Sequence, residues 1–451
     1  MGALERQSQR RRITVSAVLL AASLAGCSDS LPSLPKIGDL NPFAEKQQPL
    51  PGKRIAIMDT KDRIGGAELA TADKPIVIPP PRANDGWTQP GGRPSNSPGH
   101  LALSSGSVKQ AWTANAGTGS SSAGRLTASP IVYEGRVYTL DATARVTAFS
   151  ASGGSSVWRT SLVPEKERDV AGYGGGLAID GGRLYAATGF GTVVALDPGS
   201  GKKLWEKNLG VPVRSSPTAV EEKVFVVTTE GHVFALAGAD GAELWTFRGL
   251  PERTSIISNP SPAVDGGIAV VPYPSGELVA LRAADGQPVW TESLARTRSV
   301  SSMASLSDAA RPTIEDGVVY AVGHSGRLIA TQAKTGERLW SLSVPGTQAP
   351  VIAGESLFVV DTAGQLLAIT RRDGKVVWTA KLPGTNTWSG PTLAGGSLWL
   401  TSNKGQLVGV DPATGRVLSQ HSVGGPVYIA PVVAGGRMYV LTDGARLVAF
   451  N

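Results

Sequence analysis

A chain of 451 residues holds one cysteine and four histidines, which sharply limits the chemistry it could perform. With Cys27 alone there is no disulfide, no Cys-rich zinc site and no pair of adjacent thiols. His100, His232, His324 and His421 lie far apart, without metal-ligand spacing and without a His-Glu-x-x-His run. His232 and His324 stand beside turn glycines at matching places in two repeats, which predicts loop positions. No Gly-x-Ser-x-Gly elbow and no Walker loop is present. The stretch "GYGGG" (172 to 176) lacks the following helix and lysine of a phosphate loop and reads as a lead-in to a strand. Asp197, Asp240, Asp285 and Asp373 all fall at turns, which their short carboxylates stabilise locally. The residue types therefore point to a chain without catalytic residues, metal or cofactor.

The cysteine sits in "SLAGCSDS" (23 to 30), behind a basic head of Arg6, Arg10, Arg11 and Arg12 and the apolar run Ile13 to Ala25. That run is short for a bilayer span and has the form of a secretory signal. Leu24-Ala25-Gly26-Cys27 resembles the bacterial lipobox, which implies cleavage before Cys27, acylation of that cysteine and attachment to a membrane through the lipid. Losing the four arginines and Glu5 takes the formal charge from +7 to +4. No dense basic cluster remains, which argues against a nucleic-acid partner.

Three regions follow: a signal over 1–26, a lipidated cysteine with a Pro-rich tether over 27–100, and a repeat domain over 101–451. The tether carries Pro32, Pro35, Pro42, Pro49, Pro51, Pro79-Pro80-Pro81, Pro90, Pro94 and Pro98, and no sustained period. As a flexible coil, ~70 residues reach roughly 45 Å. "KRIAIMD" (53 to 59) and "PIVIPPP" (75 to 81) interrupt it as segments able to pair with a partner sheet or lie on the repeat domain.

The repeats are read from eleven-residue segments that open on alanine, carry glycine seventh and end on tryptophan. They finish at Trp158, Trp205, Trp245, Trp290, Trp340 and Trp378, as in "ALDPGSGKKLW" (195 to 205). A seventh copy, "GVDPATGRVLS" (409 to 419), keeps the glycine and loses the tryptophan, and an eighth starts at Ala449. Consecutive starts lie 38 to 50 residues apart, the spacing of β-propeller blades. In "SPTAVEEKVFVVTTEGHVFALAGADGAELW" (216 to 245), alternating apolar residues and Gly/Asp turns predict four short antiparallel strands, A to D. A sheet of this kind has two apolar faces, which stacking around an axis covers. Abundant glycine (56) and proline (31) suit such a turn-rich, all-β chain. The last repeat lacks strand D, and "SVKQAWTANA" (107 to 116), with Trp112, supplies one from the other end. The expectation is an eight-bladed propeller closed by pairing of the Trp112 segment beside Leu447 to Phe450. The tryptophans are expected to be structural wedges between blades.

The eleven-residue motif resembles the tryptophan-docking repeat of pyrroloquinoline-quinone enzymes, so a quinone-dependent or other ligand-binding periplasmic oxidoreductase is the alternative reading. The adjacent cysteines of those enzymes are missing here, and Ca²⁺ is disfavoured. A lipobox, a tether and an eight-bladed propeller of these repeats together resemble the BamB family of outer-membrane β-barrel assembly lipoproteins. The Pro-rich insert and "GWTQPGGRPSNSPGHLAL" (86 to 103) look like its alphaproteobacterial members. The resemblance implies a non-enzymatic scaffold on the periplasmic face of the outer membrane. Its partners would be the POTRA domains of a BamA-like barrel protein and unfolded outer-membrane proteins. Ser28 after the cysteine favours the outer membrane over the inner one. Three strand-D-to-strand-A connections are long, 159–176, 246–260 and 291–311; the last two flank one blade, and the family uses the corresponding pair for BamA. Carried over, the contact falls on Ile256 and Ile257 in "TSIISNPSP" (254 to 262) and on Leu306 and Asp308 in "LSDAARP" (306 to 312). Ile257 stands where the family has arginine and Ala310 where it has a second aspartate. Arg253 and Arg311 lie nearby as alternative sources of charge.

Overall fold

In a computed structural model, the described residues are 75–104, 108–122, 124–167, 173–249, 260–294, 309–324 and 326–451. They form eight four-stranded antiparallel sheets, and no helix occurs among them. Seven sheets are built from consecutive strands; blade 3, for example, runs Thr218–Val220, Lys223–Val227, His232–Ala237 and Glu243–Arg248. The eighth takes strands A to C from Val432–Ala434, Arg437–Leu441 and Arg446–Phe450, and its strand D from Gln110–Asn115. Trp112 pairs with Ala449 and Ala114 with Leu447, so the ring closes as the repeat pattern requires. Closure leaves no blade with a bare face.

The core lies between blades. Tyr185, Ala187 and Val193 of blade 2 pack with Ala219, Val224 and Leu236 of blade 3 in one buried cluster. Tyr320 and Val322 of blade 5 meet Ile352 and Leu357 of blade 6 in another. Strands A, B and C are therefore buried along most of their length, while strand D alternates exposed and half-buried residues. Burying both faces of strands B and C explains their near-continuous apolar runs.

The eleven-residue motif has a two-blade explanation. Its alanine and tryptophan are cross-strand partners, as in Ala195 with Trp205 and Ala280 with Trp290, and the small side chain leaves room for the indole. The indole then reaches the next blade. Trp158 Nε1 donates to Pro198 O at 3.0 Å, Trp205 to Gly238 O at 2.9 Å and Trp290 to Ala333 O at 2.8 Å. Trp112, Trp245, Trp340 and Trp378 donate likewise to Ala151, Ala283, Arg371 and Pro412. The seventh-position glycine of that next blade lies flat on the ring. At Gly201, a methyl group would stand 2.4 Å from Trp158 Cε3. The glycine thus serves the neighbour's tryptophan as well as its own left-handed turn.

This geometry accounts for the missing tryptophan of blade 7. Its strand D (Val417–Ser422) faces blade 8, where strands C and D come from opposite ends of the chain and no C–D turn exists to receive an indole. Ser419 stands there instead, opposite Gly409. Trp399 on strand B fills the space, its ring 3.0 Å from the position a Gly409 methyl would take.

Candidate functional site: connector face and axial belt

Blade 4 lies between the connections 246–260 and 291–311. The first departs after Arg248, the end of strand D of blade 3, and the second after Leu294. Both spring from the face of the B–C turns: Gly249 N donates to Gly231 O, and Leu294 N to Gly276 O. The second returns along the same face, where Ala310 N donates to Val322 O. Arg253, Ile256, Ile257, Leu306 and Asp308 lie outside the described residues, as does Cys27. Arg311 is described, and its guanidinium turns inward to the axis, where Nη1 donates to Pro90 O at 3.2 Å. Burial pushes its pKa down to about 10. It lines a cavity of about 90 Å³ on the axis together with Trp87, Asn96, Ser129, Gln348 and Thr392, room for roughly three waters.

Of the stretch read as tether over 27–100, residues 75–100 are described: "PIVIPPP" lies on the repeat domain, one of the two readings its sequence allowed, and the residues after it pack on the blades where an extended linker was expected. Residues 75–104 lie against the blades, and from 84 onward they circle the axis. The physical reason is in strand A. Each strand A is hydrogen-bonded to strand B on one side only, and its inner edge is buried. Buried backbone groups need partners. The belt supplies them blade by blade. Asn84 Nδ2 donates to Val433 O in blade 8, and Trp87 exchanges two backbone bonds with Val132 in blade 1. In blade 2, Ile179 N donates to Thr88 O. Val264 N of blade 4 donates to Pro94 O, and Ile314 N of blade 5 to Ser95 O. Leu101 N donates to Leu393 O in blade 7, and Ser104 N to Gly436 O back in blade 8. Blade 6 is approached outside this circuit, by Ile76 and Ile78 packing on its cluster.

Three buried polar side chains anchor the belt: Gln89 and Asn96 each bridge two blades, and His100 ties blade 7 to the segment's own Pro79. Gln89 Nε2 donates to Ile179 O at 3.0 Å and Ala219 O at 2.7 Å, and its Oε1 accepts from Ala219 N at 3.0 Å. Asn96 Nδ2 donates to Pro312 O at 2.9 Å and reaches Pro262 O at 3.4 Å. His100 Nε2 accepts from Gly396 N at 2.9 Å, which makes Nδ1 the donor toward Pro79 O at 2.6 Å. Of the other histidines, His324 is exposed in a turn, His232 opens a strand half-buried, and His421 lies beside Trp399. Gly175, the fourth residue of the "GYGGG" run, opens strand A of blade 2. Among the described residues, no three His, Cys, Asp or Glu side chains converge where a metal ion could sit. Sequence reasoning missed the belt anchors. Their one signal was the run of prolines interrupted by Trp87, Gln89, Asn96 and His100, without the charge expected of a solvated linker.

The family model described as the outer membrane protein assembly factor BamB matches residues 94–171, 142–380 and 369–451, the greater part of the chain. The chain belongs to the BamB family. A BamB of Burkholderia pseudomallei is 29% identical over 202 residues, 45% of this chain and 50% of that protein. The chain thus spans about half the length of that curated relative. The crystal structure of BamB from Moraxella catarrhalis superposes with a TM-score of 0.65 at 19% identity, over 76% of this chain and all of that one. A quinohemoprotein alcohol dehydrogenase from Comamonas testosteroni also reaches 0.65, at 14% identity over 81% of this chain and 80% of its own. At such identities the two structures share the propeller fold with this BamB-family chain and nothing further is carried by the likeness. The family model begins at Pro94, so the first half of the belt lies upstream of the matched region.

Proposed function

We propose that this chain is a scaffold of outer-membrane protein assembly, held to the periplasmic face of the outer membrane by lipid on Cys27. Its connector face, around blade 4, would grip the POTRA domains of a BamA-like barrel protein. Family membership across residues 94–451 is the observation that carries this reading. The ring supports it: a rigid circle of blades holds long connections on one face, where recognition residues tend to lie. Ile256, Ile257, Leu306 and Asp308 are the proposed contacts, with Arg253 beside them. Arg311, turned to the axis, would act by holding the base of the second connection. Unfolded outer-membrane proteins are proposed clients.

The test is affinity capture from detergent-solubilised membranes. Wild-type chain should bring down a BamA-like barrel protein, and Asp308→Arg should lose most of it. Capture unaffected by the substitution would remove the site assignment; no barrel protein at all would remove the function. The oxidoreductase alternative is tested by adding pyrroloquinoline quinone and Ca²⁺ and following dye reduction, where no turnover is expected.

A further inference from the structure

We propose that residues 84–104 are a ligand carried in cis, and that the inner edges of the A strands form a binding site for an extended polypeptide. The eight sheets are complete without this segment. It adds no strand to any of them and touches them through isolated bridges, such as Trp87 to Val132 and Leu101 to Ala394. Its contacts are those of a bound peptide: backbone carbonyls at Thr88, Pro94 and Ser95 accept from blade amides, and an amide side chain keys between blades at Gln89. Proline suits this role, since it keeps its carbonyl acceptor while holding the chain extended. Trp87 fills the axis as the apolar anchor, 4% exposed. The circuit begins and ends on blade 8, the blade assembled from both ends of the chain. The belt is therefore a second lock on the ring, separate from the pairing of Gln110–Asn115.

The experiment places a protease site between Ser104 and Val108 of the full chain and cuts it. The severed segment should stay bound through gel filtration. A dye-labelled synthetic peptide of residues 75–104 should exchange into the cut protein after the segment is washed out in mild denaturant. A Gln89→Ala peptide, which strips three buried hydrogen bonds, should compete about tenfold or more less well. An Asp85→Ala peptide, altered at an exposed position, should compete as wild type. Immediate loss of the segment on cutting, or equal competition by the two peptides, would overturn the proposal. Should cutting unfold the ring, hydrogen exchange on the uncut Gln89→Ala chain decides. The Ala219 amide should exchange at least tenfold faster while Val226, paired within its sheet, is unchanged. Unchanged exchange at Ala219 would equally overturn it.

Discussion

Gly286→Ala tests the docking of tryptophan on the neighbouring blade. Gly286 has φ +73°, and an added methyl would stand 2.5 Å from Trp245 Cε3 and 2.7 Å from Cδ2. Carbon atoms rest at about 3.5–4.0 Å, so the indole must shift by about 1 Å. That shift breaks Trp245 Nε1 to Ala283 O, 3.1 Å long, at about 1 kcal/mol. Overpacking adds about 1–3 kcal/mol, and the left-handed backbone about 1 kcal/mol for alanine. The sum is about 3–5 kcal/mol. Gly317→Ala is the control: φ is +74°, and nothing lies within 4 Å of the added methyl. It should cost only the backbone term, about 1 kcal/mol. Urea unfolding followed by tryptophan fluorescence, at equal slope for both variants, reads the difference as a shift in midpoint. A gap of about 2–4 kcal/mol is expected from these terms. Equal destabilisation by the two substitutions would refute the two-blade role of the motif glycine.

Gly409→Ala probes the substitute packing in blade 7. Its methyl would meet Ser419 Oγ at 2.8 Å and the Trp399 ring at 3.0 Å, and a loss of about 1–3 kcal/mol in urea unfolding is expected. Full stability would mean Trp399 does not fill that space. Burial raises the pKa of Asp361, against backbone N–H bonds from Gln365, Ala363 and Gly364 that act to lower it. A carboxyl raised on folding favours the folded state most below the ordinary carboxylate pKa of about 3.9, and that contribution declines as pH rises through the raised value. Wild-type stability relative to Asp361→Asn should therefore fall as pH rises above about 4; a flat or rising difference contradicts the burial effect.

The blades were legible because each leaves a periodic trace. Alternation, turn glycines and the Ala-to-Trp spacing repeat in chain order, and a strand missing at one end was matched by one at the other. What a single repeat conceals is the partner of its glycine, since Gly201 packs on Trp158 of the blade before. The belt left no period at all. It meets each blade once, through carbonyls that every residue possesses, so composition alone made residues 84–104 look like linker. Gln89 and Asn96 are polar in sequence and buried in structure, and only the geometry of the inner strand edges explains why. The connector contacts were inferred by resemblance alone, because no local pattern marks Ile256 or Asp308 as a binding residue.

Site-specific photo-crosslinking in intact cells tests the central claim most directly. A photoreactive amino acid replaces Ile256, proposed here as a partner contact, or Glu222, an exposed residue of an A–B turn, at the blade end opposite the B–C turns. The account expects an adduct with a BamA-like barrel protein from position 256 and none from position 222. Adducts from 222 alone, or none with any barrel protein from either position, would contradict it.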